Sequence, residues 1–371
     1  MQAAAIDLVV PVRSNNGGEA NALFVLGPKR SEEPYSEDDL ELLMAIAESV
    51  AMRLPKIETT AVAATERFEE CPACGACYDS GTGRCLTEGA ALAAVNAPRL
   101  LADRYRLERR LGRGGMGTVY VALDTSLDRR VAAKLVREDL VGLPEAADRF
   151  QGEARVAAGF SHPNVVTVHD FGIAGGQAFL VMELLDGRTL RDVLRAEERV
   201  ESQRALAILR DVAAAVEAAH RRQLVHRDLK PENICLVTYG SGESAKVLDF
   251  GIAKFLTAKD GELPMTHTTG GALLGTPLYM APEQLRGEDP DPSWDLWALA
   301  VIAFEMLSGS HPFASASLAR DLHTREPVSD PRLAAMPHGC QQFFARALAL
   351  DRAARPGSPA IFLSELESLH A

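Results

Sequence analysis

The sequence has 371 residues and 47% hydrophobic residues, which is enough for a full hydrophobic core and more than one folding unit. Its 39 basic and 51 acidic residues give a net charge of −12, which argues against a general nucleic-acid-binding protein, since such proteins must neutralise phosphates. The N-terminus lacks the order of a signal peptide, and no apolar run reaches the roughly 20 residues that span a bilayer. We therefore expect a cytoplasmic protein without a membrane span.

Residues 1–55 predict a strand, a turn, a second strand and a helix. Hydrophobic residues alternate from Ile6 to Val12, an Asn-Gly turn signal follows, and ANALFVLG resumes the strand pattern. Ser36 and Asp39 predict the cap of a helix with apolar residues at helical spacing up to Leu54. A segment this short buries little surface. We therefore expect it to be part of a domain.

Residues 56–97 predict a linker that contains a cysteine-rich module at residues 71–85. Its spacing is C-x2-C-x2-C-x7-C, and four thiolates would close a tetrahedral structural zinc site. An iron–sulfur cluster or redox-active thiols are an alternative, although the spacing of the fourth cysteine and a following proline are missing. Unliganded cysteines are the other alternative. The candidate zinc ligands are Cys71, Cys74, Cys77 and Cys85.

From Arg104 the pattern changes to strands, and beyond Arg188 it becomes mostly helical. Gly112, Gly114 and Gly117 form a G-x-G-x-x-G pattern. A dinucleotide site needs a helix after these glycines, whereas the strand-forming run TVYVAL follows them. The pattern therefore predicts a hairpin whose backbone lies over phosphates, and it argues against a dinucleotide-dependent oxidoreductase.

Lys134 lies inside the apolar strand run VAAK, where a charged side chain is unusual unless it has a partner. Glu153, on the next predicted helix, could be that partner. Together the two side chains predict an ion pair that aims an ammonium group at a phosphate.

Six motifs in chain order resemble those of protein kinases. They are the glycine loop, Lys134, Glu153, HRDLKPEN at 226–233, DFG at 249–251 and APE at 281–283. The sequence resembles the eukaryotic-like serine/threonine kinases of bacteria from about Arg104 to the C-terminus. The resemblance implies an α+β, bilobal fold at 104–368, with a β-rich N-lobe and a helical C-lobe, preceded by a small αβ fragment and the cysteine-rich module.

The resemblance also assigns roles for the transfer of the ATP γ-phosphate to protein hydroxyls, which depends on positioning and charge neutralisation. Asp228 would accept or orient the proton of the substrate hydroxyl, and Lys230 would stabilise the γ-phosphate. Asn233 and Asp249 would bind magnesium, a hard cation that prefers oxygen ligands. Val119 and Ala132 would line an adenine pocket beside backbone groups of the hinge. The implied ATP-binding residues are Gly112, Gly114, Gly117, Val119, Ala132, Lys134, Glu153, Glu183 and Leu185.

Lys230 and Thr276 resemble serine/threonine rather than tyrosine kinases, so the implied substrates are proteins with Ser or Thr acceptors. Arg227 resembles kinases in which an arginine pairs with a phosphorylated activation loop. The resemblance therefore predicts autophosphorylation of the long segment that follows Asp249, and the alternative is a polar loop without regulation. The candidate acceptors are Thr266, Thr268 and Thr269.

Two further contacts are implied within the helical lobe. Glu283 would pair with Arg355, and Asp295 would anchor the catalytic loop from a buried helix. The alternative to an active enzyme is a pseudokinase, a nucleotide-binding scaffold without transfer. Such proteins usually lack the lysine or one of the two aspartates, and Lys134, Asp228 and Asp249 are all present.

Residues 1–53 resemble the final hairpin and last helix of a GAF-type sensor domain. Most of such a domain would be missing from this segment. Either translation starts upstream, or the segment is a remnant used for homodimerisation. A generic α/β appendage is the alternative.

Overall fold

In a computed structural model the chain divides into two compact units, Met1–Thr65 and Glu66–Ala371. The structure describes positions 36, 39, 43, 152 and 155 and residues 8–13, 20–26, 67–115, 117–137, 158–240, 242–250, 276–313 and 339–370. Within these residues, no helix combines the length and the apolar character needed to cross a bilayer.

The first unit contains the hairpin that the sequence predicts. Strand β1 (Leu8–Arg13) pairs antiparallel with strand β2 (Ala20–Leu26). The predicted cap is also present, because the Ser36 amide donates to the Asp39 carboxylate at 2.8 Å and the Asp39 amide donates to the Ser36 hydroxyl at 3.3 Å. The two predicted strands and the predicted helix cap are therefore confirmed, whereas the turn between the strands lies outside the described residues.

The second unit begins with two antiparallel sheets. The first has three strands, with β3 between β4 and β5, and the second has six in the order β10-β11-β9-β8-β7-β6. The short strands are β3 (Phe68–Glu70), β4 (Cys77–Asp79), β5 (Ala93–Val95) and β6 (Leu100–Leu101). The long strands are β7 (Tyr105–Gly114), β8 (Gly117–Asp124), β9 (Arg129–Val136), β10 (Val168–Ala174) and β11 (Gln177–Met182).

The three-stranded sheet packs against the six-stranded one and shares its core. Phe68 is fully buried and meets the Tyr120 ring edge-on, with ring centroids 5.8 Å apart. Buried Glu70 accepts a hydrogen bond from the Tyr120 hydroxyl at 3.0 Å and pairs with Arg110. The compact unit starts at Glu66, and the cysteine-rich module, which has little core of its own, buries its apolar side chains on the neighbouring sheet. The predicted bounds of the linker and the domains stay predictions.

Helices and one small sheet form the remainder of the unit. The sheet has the order β12-β13-β14, with β12 (Gly187–Thr189), β13 (Ile234–Tyr239) and β14 (Gly242–Val247). The helices are α1 (Leu190–Ala196), α2 (Ser202–His220), α3 (Pro282–Leu285), α4 (Ser293–Ser308), α5 (Cys340–Ala347) and α6 (Pro359–Ser368). Short 3₁₀ turns lie at Pro231–Asn233, Thr276–Tyr279 and Arg352–Ala354.

Helix α4 is the centre of the helical core. All of its residues except Glu305 and Ser308 are buried, as expected for a helix that is apolar on every side. It ends at Gly309, whose φ is +76° and where an added Cβ would lie 2.3 Å from the Glu198 carbonyl oxygen. Only glycine fits there. The helix is thereby fixed in the core and provides a rigid base for the polar side chain that it carries at Asp295.

Candidate active site

The HRDLKPEN loop is anchored by Asp295, which α4 places under it. The Asp295 carboxylate is 1% exposed and accepts hydrogen bonds from the backbone amides of His226 at 2.8 Å and Arg227 at 2.9 Å. His220, the last residue of α2, contacts the same carboxylate through Nε2 at 2.8 Å. These bonds hold Arg227 at a φ of +65°, a conformation that costs energy for a non-glycine residue. The predicted anchoring role of Asp295 is confirmed.

Two polar side chains of the loop, those of Lys230 and Asn233, converge on the carboxylate of Asp228. The Lys230 ammonium donates to Asp228 Oδ2 at 2.8 Å. The Asn233 side-chain amide donates to the Asp228 carbonyl oxygen at 2.8 Å and to Asp228 Oδ2 at 3.2 Å. Asp228 and Asn233 are each only 8% exposed. Carboxylates rarely become this buried without partners, so the loop is a preorganised site rather than a solvated turn.

A second ion pair connects the strand-rich lobe to the DFG segment. Lys134 Nζ, on β9, lies 2.6 Å from Asp249 Oδ2. Asp249 has a φ of +48°, and the amide of the preceding Leu248 donates to the Asn233 carbonyl oxygen at 2.8 Å. The structure therefore brings Lys134, Asp249 and Asn233 into one region, as the resemblance predicts.

Several predicted residues lie outside the described part of the chain. They are Glu153, Gly251 and the threonines Thr266, Thr268 and Thr269. The predicted pair between Lys134 and Glu153 and the predicted phosphorylation sites therefore stay predictions. The described partner of Lys134 is Asp249.

The glycine loop forms the predicted hairpin, with Gly114 of β7 paired to Gly117 of β8. At Gly117 an added Cβ would lie 2.0 Å from the Leu135 carbonyl oxygen, so this glycine is needed for close packing on β9. At Gly112 an added Cβ would meet nothing within 4 Å. The glycine loop is thus packed against β9 at Gly117, whereas there is free space beside Gly112.

The predicted adenine-side residues belong to one apolar cluster. Buried Ala132 and Met182 form part of it, and the partly buried Val119, Leu185 and Leu248 pack against it. Among the residues that the structure describes, no hydrogen bond reaches the Leu185 amide. The cluster therefore has an apolar wall beside a backbone donor.

Glu183 has a role that the sequence did not reveal. Its carboxylate pairs with Lys246 Nζ at 2.7 Å and accepts a hydrogen bond from the Thr167 amide at 2.8 Å. Its own amide donates to the Thr167 carbonyl oxygen at 2.9 Å. These contacts fix the segment between β11 and Leu185 to β14 and thereby set the position of the hinge backbone.

His226 is a second residue without a sequence-based role. Its Nε2 contacts the Leu248 carbonyl oxygen at 2.8 Å, and its ring lies 4.7 Å from that of Phe250. The first residue of one motif therefore holds both neighbours of Asp249 in the next motif. The presence of His226 in HRDLKPEN was the available signal.

The helical lobe is braced by the predicted pair of Glu283 and Arg355. The Arg355 guanidinium donates to both carboxylate oxygens, at 2.6 and 3.0 Å, and both side chains are buried. Burial favours the neutral form of Glu283, but these hydrogen bonds outweigh it and hold the Glu283 pKa below its ordinary value. The prediction is confirmed.

The four cysteines of the module do not form one cluster. The sulfur atoms of Cys71, Cys74 and Cys85 all lie within 4.8 Å of one another. Cys77, at the start of β4, instead belongs to the buried core that contains Phe68, and its thiol donates to the Gly75 carbonyl oxygen at 3.6 Å. Among the described residues, the structure therefore groups three of the four predicted zinc ligands and leaves Cys77 outside that group.

The Cys77 thiol is expected to resist alkylation in the folded protein. Burial, with a contribution from the negative charge of Glu70, raises its pKa to about 12, so that roughly one molecule in 10⁴ carries the reactive thiolate at pH 8. Iodoacetamide treatment at pH 8 with a chelator, followed by mass spectrometry, should label Cys77 only after denaturation with urea. The partly exposed Cys74 serves as the internal comparison. Labelling of Cys77 at the rate of Cys74 in the native protein would contradict the burial.

A sequence profile of the protein kinase domain matches residues 105–366. The chain belongs to the protein kinase family. This family uses ATP and Mg²⁺. The serine/threonine-protein kinase PknA of Mycobacterium tuberculosis is 41% identical over 234 residues, which are 61% of this chain and 52% of PknA. Pkn1 of Myxococcus xanthus is 40% identical over 268 residues, which are 71% of this chain and 38% of Pkn1.

The kinase fold is also shown by solved structures. A crystal structure of a double mutant of the M. tuberculosis PknI kinase domain matches with a TM-score of 0.58 and 28% identity, covering 73% of this chain and 97% of that one. The predicted bilobal α+β fold is thus confirmed for the kinase domain. The chain spans about half the length of PknA, the curated relative named first.

The donor atoms of the kinase domain fit a magnesium ion. Asn233 directs its amide nitrogen at Asp228, which places its oxygen on the opposite side of the amide group. Asp249 uses Oδ2 for Lys134. Within the described residues, Oδ1 of Asn233 and Oδ1 of Asp249 accept no hydrogen bond. One carboxylate and one amide oxygen are ligands that Mg²⁺ prefers.

Proposed function

We propose that the chain transfers the γ-phosphate of ATP to serine and threonine hydroxyls of proteins. One observation carries this proposal: Asp228, Lys230 and Asn233 converge in a buried loop that is joined through Leu248 to the pair of Lys134 and Asp249. PknA and Pkn1 are both named serine/threonine-protein kinases, which supports serine and threonine as the acceptor residues.

Within this proposal, each side chain of the loop has one task. Asp228 accepts or orients the proton of the acceptor hydroxyl, and its position is set by the Asn233 bond to its backbone carbonyl. Lys230, held 2.8 Å from Asp228, neutralises charge on the phosphoryl group in transfer. Lys134 binds the phosphates of ATP from the opposite lobe. A bound Mg²⁺ would supply further charge neutralisation, with Asn233 and Asp249 as its ligands.

In this proposal the adenine base of ATP binds against the apolar cluster beside the hinge. Val119, Ala132 and Leu185 form apolar contacts with the adenine ring, and the Leu185 amide donates to it. The Glu183 side chain is occupied by Lys246 at 2.7 Å, so Glu183 contributes through its backbone. Burial of a planar base on these side chains follows the usual composition of ligand sites, which are mostly apolar with a few polar groups.

The proposal is tested by incubating the full chain and a protein acceptor with Mg²⁺ and ATP labelled at the γ-phosphate. We expect label in protein and its recovery as phosphoserine or phosphothreonine after acid hydrolysis. ATP labelled at the α-phosphate is the matched control and should leave no label. Nucleotide binding without transfer would instead establish a pseudokinase, and label from the α-phosphate would establish nucleotidyl transfer.

The segment that follows Asp249 would be regulated by phosphorylation. Mass spectrometry of the same reaction is expected to find phosphate on Thr266, Thr268 or Thr269. Arg227, which precedes the catalytic aspartate, would pair with that phosphate. Active enzyme with only unmodified peptides from this segment would contradict this part of the proposal.

The N-terminal unit would serve as a partial GAF-like sensor or as a homodimerisation element. The β1–β2 hairpin and the Ser36–Asp39 cap support the resemblance on which this rests. Sedimentation of the full chain tests the dimer directly. The cytoplasmic location also stays a prediction.

A further inference from the structure

The cysteine-rich module contains two turns of the same sequence pattern and the same backbone geometry. The first is CPACGA at 71–76, and the second is CLTEGA at 85–90. In the first, the Cys71 amide donates to the Ala76 carbonyl at 2.9 Å, and the Gly75 amide donates to the Cys71 carbonyl at 2.9 Å.

The second turn repeats both hydrogen bonds. The Cys85 amide donates to the Ala90 carbonyl at 2.8 Å, and the Gly89 amide donates to the Cys85 carbonyl at 2.9 Å. The two glycines also share the left-handed conformation, with φ of +75° at Gly75 and +65° at Gly89. The turns are therefore structural equivalents, in which Cys85 corresponds to Cys71 and Glu88 corresponds to Cys74.

Three thiols face one another across these turns. The Cys74 and Cys85 sulfur atoms lie 3.6 Å apart, and all three sulfur atoms, including Cys71, lie within 4.8 Å. Thiolates bound to one tetrahedral zinc ion at about 2.3 Å are separated by about 3.8 Å. All three cysteines are free of disulfides. Their spacing is therefore that of ligands to one ion.

Within the described residues the cluster holds three ligands, and the equivalence of the two turns points to Glu88, the counterpart of Cys74, for the fourth. The Glu88 amide donates to Cys85 Sγ at 3.3 Å, which places the Glu88 backbone beside the cluster. Carboxylate oxygens are established zinc ligands, whereas an iron–sulfur cluster held by cysteines needs four thiolates. Cys77 lies outside the group of three sulfur atoms and packs in the neighbouring core instead.

We propose that Cys71, Cys74, Cys85 and Glu88 bind one zinc ion in a tetrahedral site of three thiolates and one carboxylate. The ion would tie the two equivalent turns together. Tyr78, whose hydroxyl lies 3.3 Å from Cys85 Sγ, would orient that thiolate as an outer-sphere partner.

The site would also stabilise the edge of the kinase N-lobe. The first turn is joined to β7, because the Arg110 amide donates to the Gly75 carbonyl at 2.8 Å and Ala76 pairs with Arg109. At Gly75 an added Cβ would lie 3.0 Å from the Arg110 carbonyl oxygen, so the contact is close. Zinc binding would order the first turn, which contacts β7. Because β7 leads into the glycine loop, the ion would also stabilise the base of that loop.

The first experiment measures zinc and iron in the purified full chain by elemental analysis after gel filtration. We expect one zinc and no iron per chain. Cys77→Ala is the matched control and should retain the zinc, whereas Cys85→Ser should lose it. A chain that retains no zinc and binds no added cobalt, or a Cys77→Ala variant that loses its metal, would overturn the proposal.

The second experiment isolates Glu88, which is exposed and can be replaced without opening the core. Glu88→Gln should release zinc to a competing chelator more readily than wild type. In the cobalt-substituted protein, Glu88→Cys should increase the thiolate-to-cobalt charge-transfer absorption by about a third, as the number of thiolates rises from three to four. Unchanged chelator competition and unchanged absorption in both variants would remove Glu88 from the site.

Discussion

Replacing Asp228 by asparagine is expected to lower kcat for phosphoryl transfer by about 10²–10⁴-fold, the usual contribution of a general base. The KM for ATP should stay close to that of wild type, since Asp228 acts on the acceptor hydroxyl. The substitution preserves the shape of the side chain. It also preserves the Asn233 bond to the Asp228 backbone carbonyl at 2.8 Å, so the loop should keep its conformation.

The control for this prediction is Asp103→Asn. This substitution removes the same charge at an exposed turn between β6 and β7, where φ is +53° and asparagine is well tolerated. Initial rates measured over a range of ATP concentrations should match wild type for this control. If the Asp228→Asn enzyme keeps more than about a tenth of the wild-type kcat, Asp228 is not the general base of the transfer reaction.

The kinase motifs could be read from the sequence because each carries a chemical requirement at a fixed spacing. The sequence correctly placed the glycine hairpin and the anchoring role of Asp295. It did not reveal the contact of His226 with Leu248 at 2.8 Å or the pair of Glu183 and Lys246 at 2.7 Å. These contacts depend on how β14 and the residue after it lie against the hinge and the HRDLKPEN loop, and no local pattern encodes that arrangement.

The cysteine-rich module shows a different limit. Spacing alone grouped Cys77 with its neighbours, whereas the start of β4 directs it into the core beside Phe68. The equivalence of CPACGA and CLTEGA was visible in the sequence, but only the matching hydrogen bonds make it structural. The partnership of Glu70 with Tyr120 joins residues 50 positions apart. That tertiary contact, and the shared core with it, could not be predicted from local pattern.

Replacing Arg355 by methionine is expected to reduce the free energy of unfolding by about 3–5 kcal/mol, the cost of removing one partner from a buried ion pair. The two side chains are 1% and 0% exposed, so Glu283 would be left as an uncompensated buried carboxylate. The variant would also lose the guanidinium that lies 4.9 Å from the Trp297 ring centroid. Both tryptophans of the chain are in α4, so urea unfolding followed by tryptophan fluorescence reports on this region.

The sign of the pH dependence distinguishes the ion pair from simple loss of packing. In wild type the Glu283 pKa is lowered, so the pair stabilises the protein above the ordinary glutamate pKa, and this contribution is lost as pH falls through the lowered value. In Arg355→Met, burial without the guanidinium raises the Glu283 pKa instead, so that variant loses stability as pH rises. The difference between the two proteins should therefore be greatest at neutral pH and shrink towards pH 4.

Two further variants complete the test. Arg346→Met breaks the pair of Arg346 and Glu365, whose side chains are 48% and 36% exposed, and should change the free energy of unfolding by no more than about 1 kcal/mol. Adding Glu283→Gln to Arg355→Met removes the unpaired charge and should recover part of the lost stability. Equal losses in Arg346→Met and Arg355→Met, or a loss in Arg355→Met that does not vary with pH, would show that the buried pair does not brace the helical lobe electrostatically. Because α4 carries both Asp295 and the Trp297 ring under Arg355, loss of this brace should also loosen the anchor of the catalytic loop.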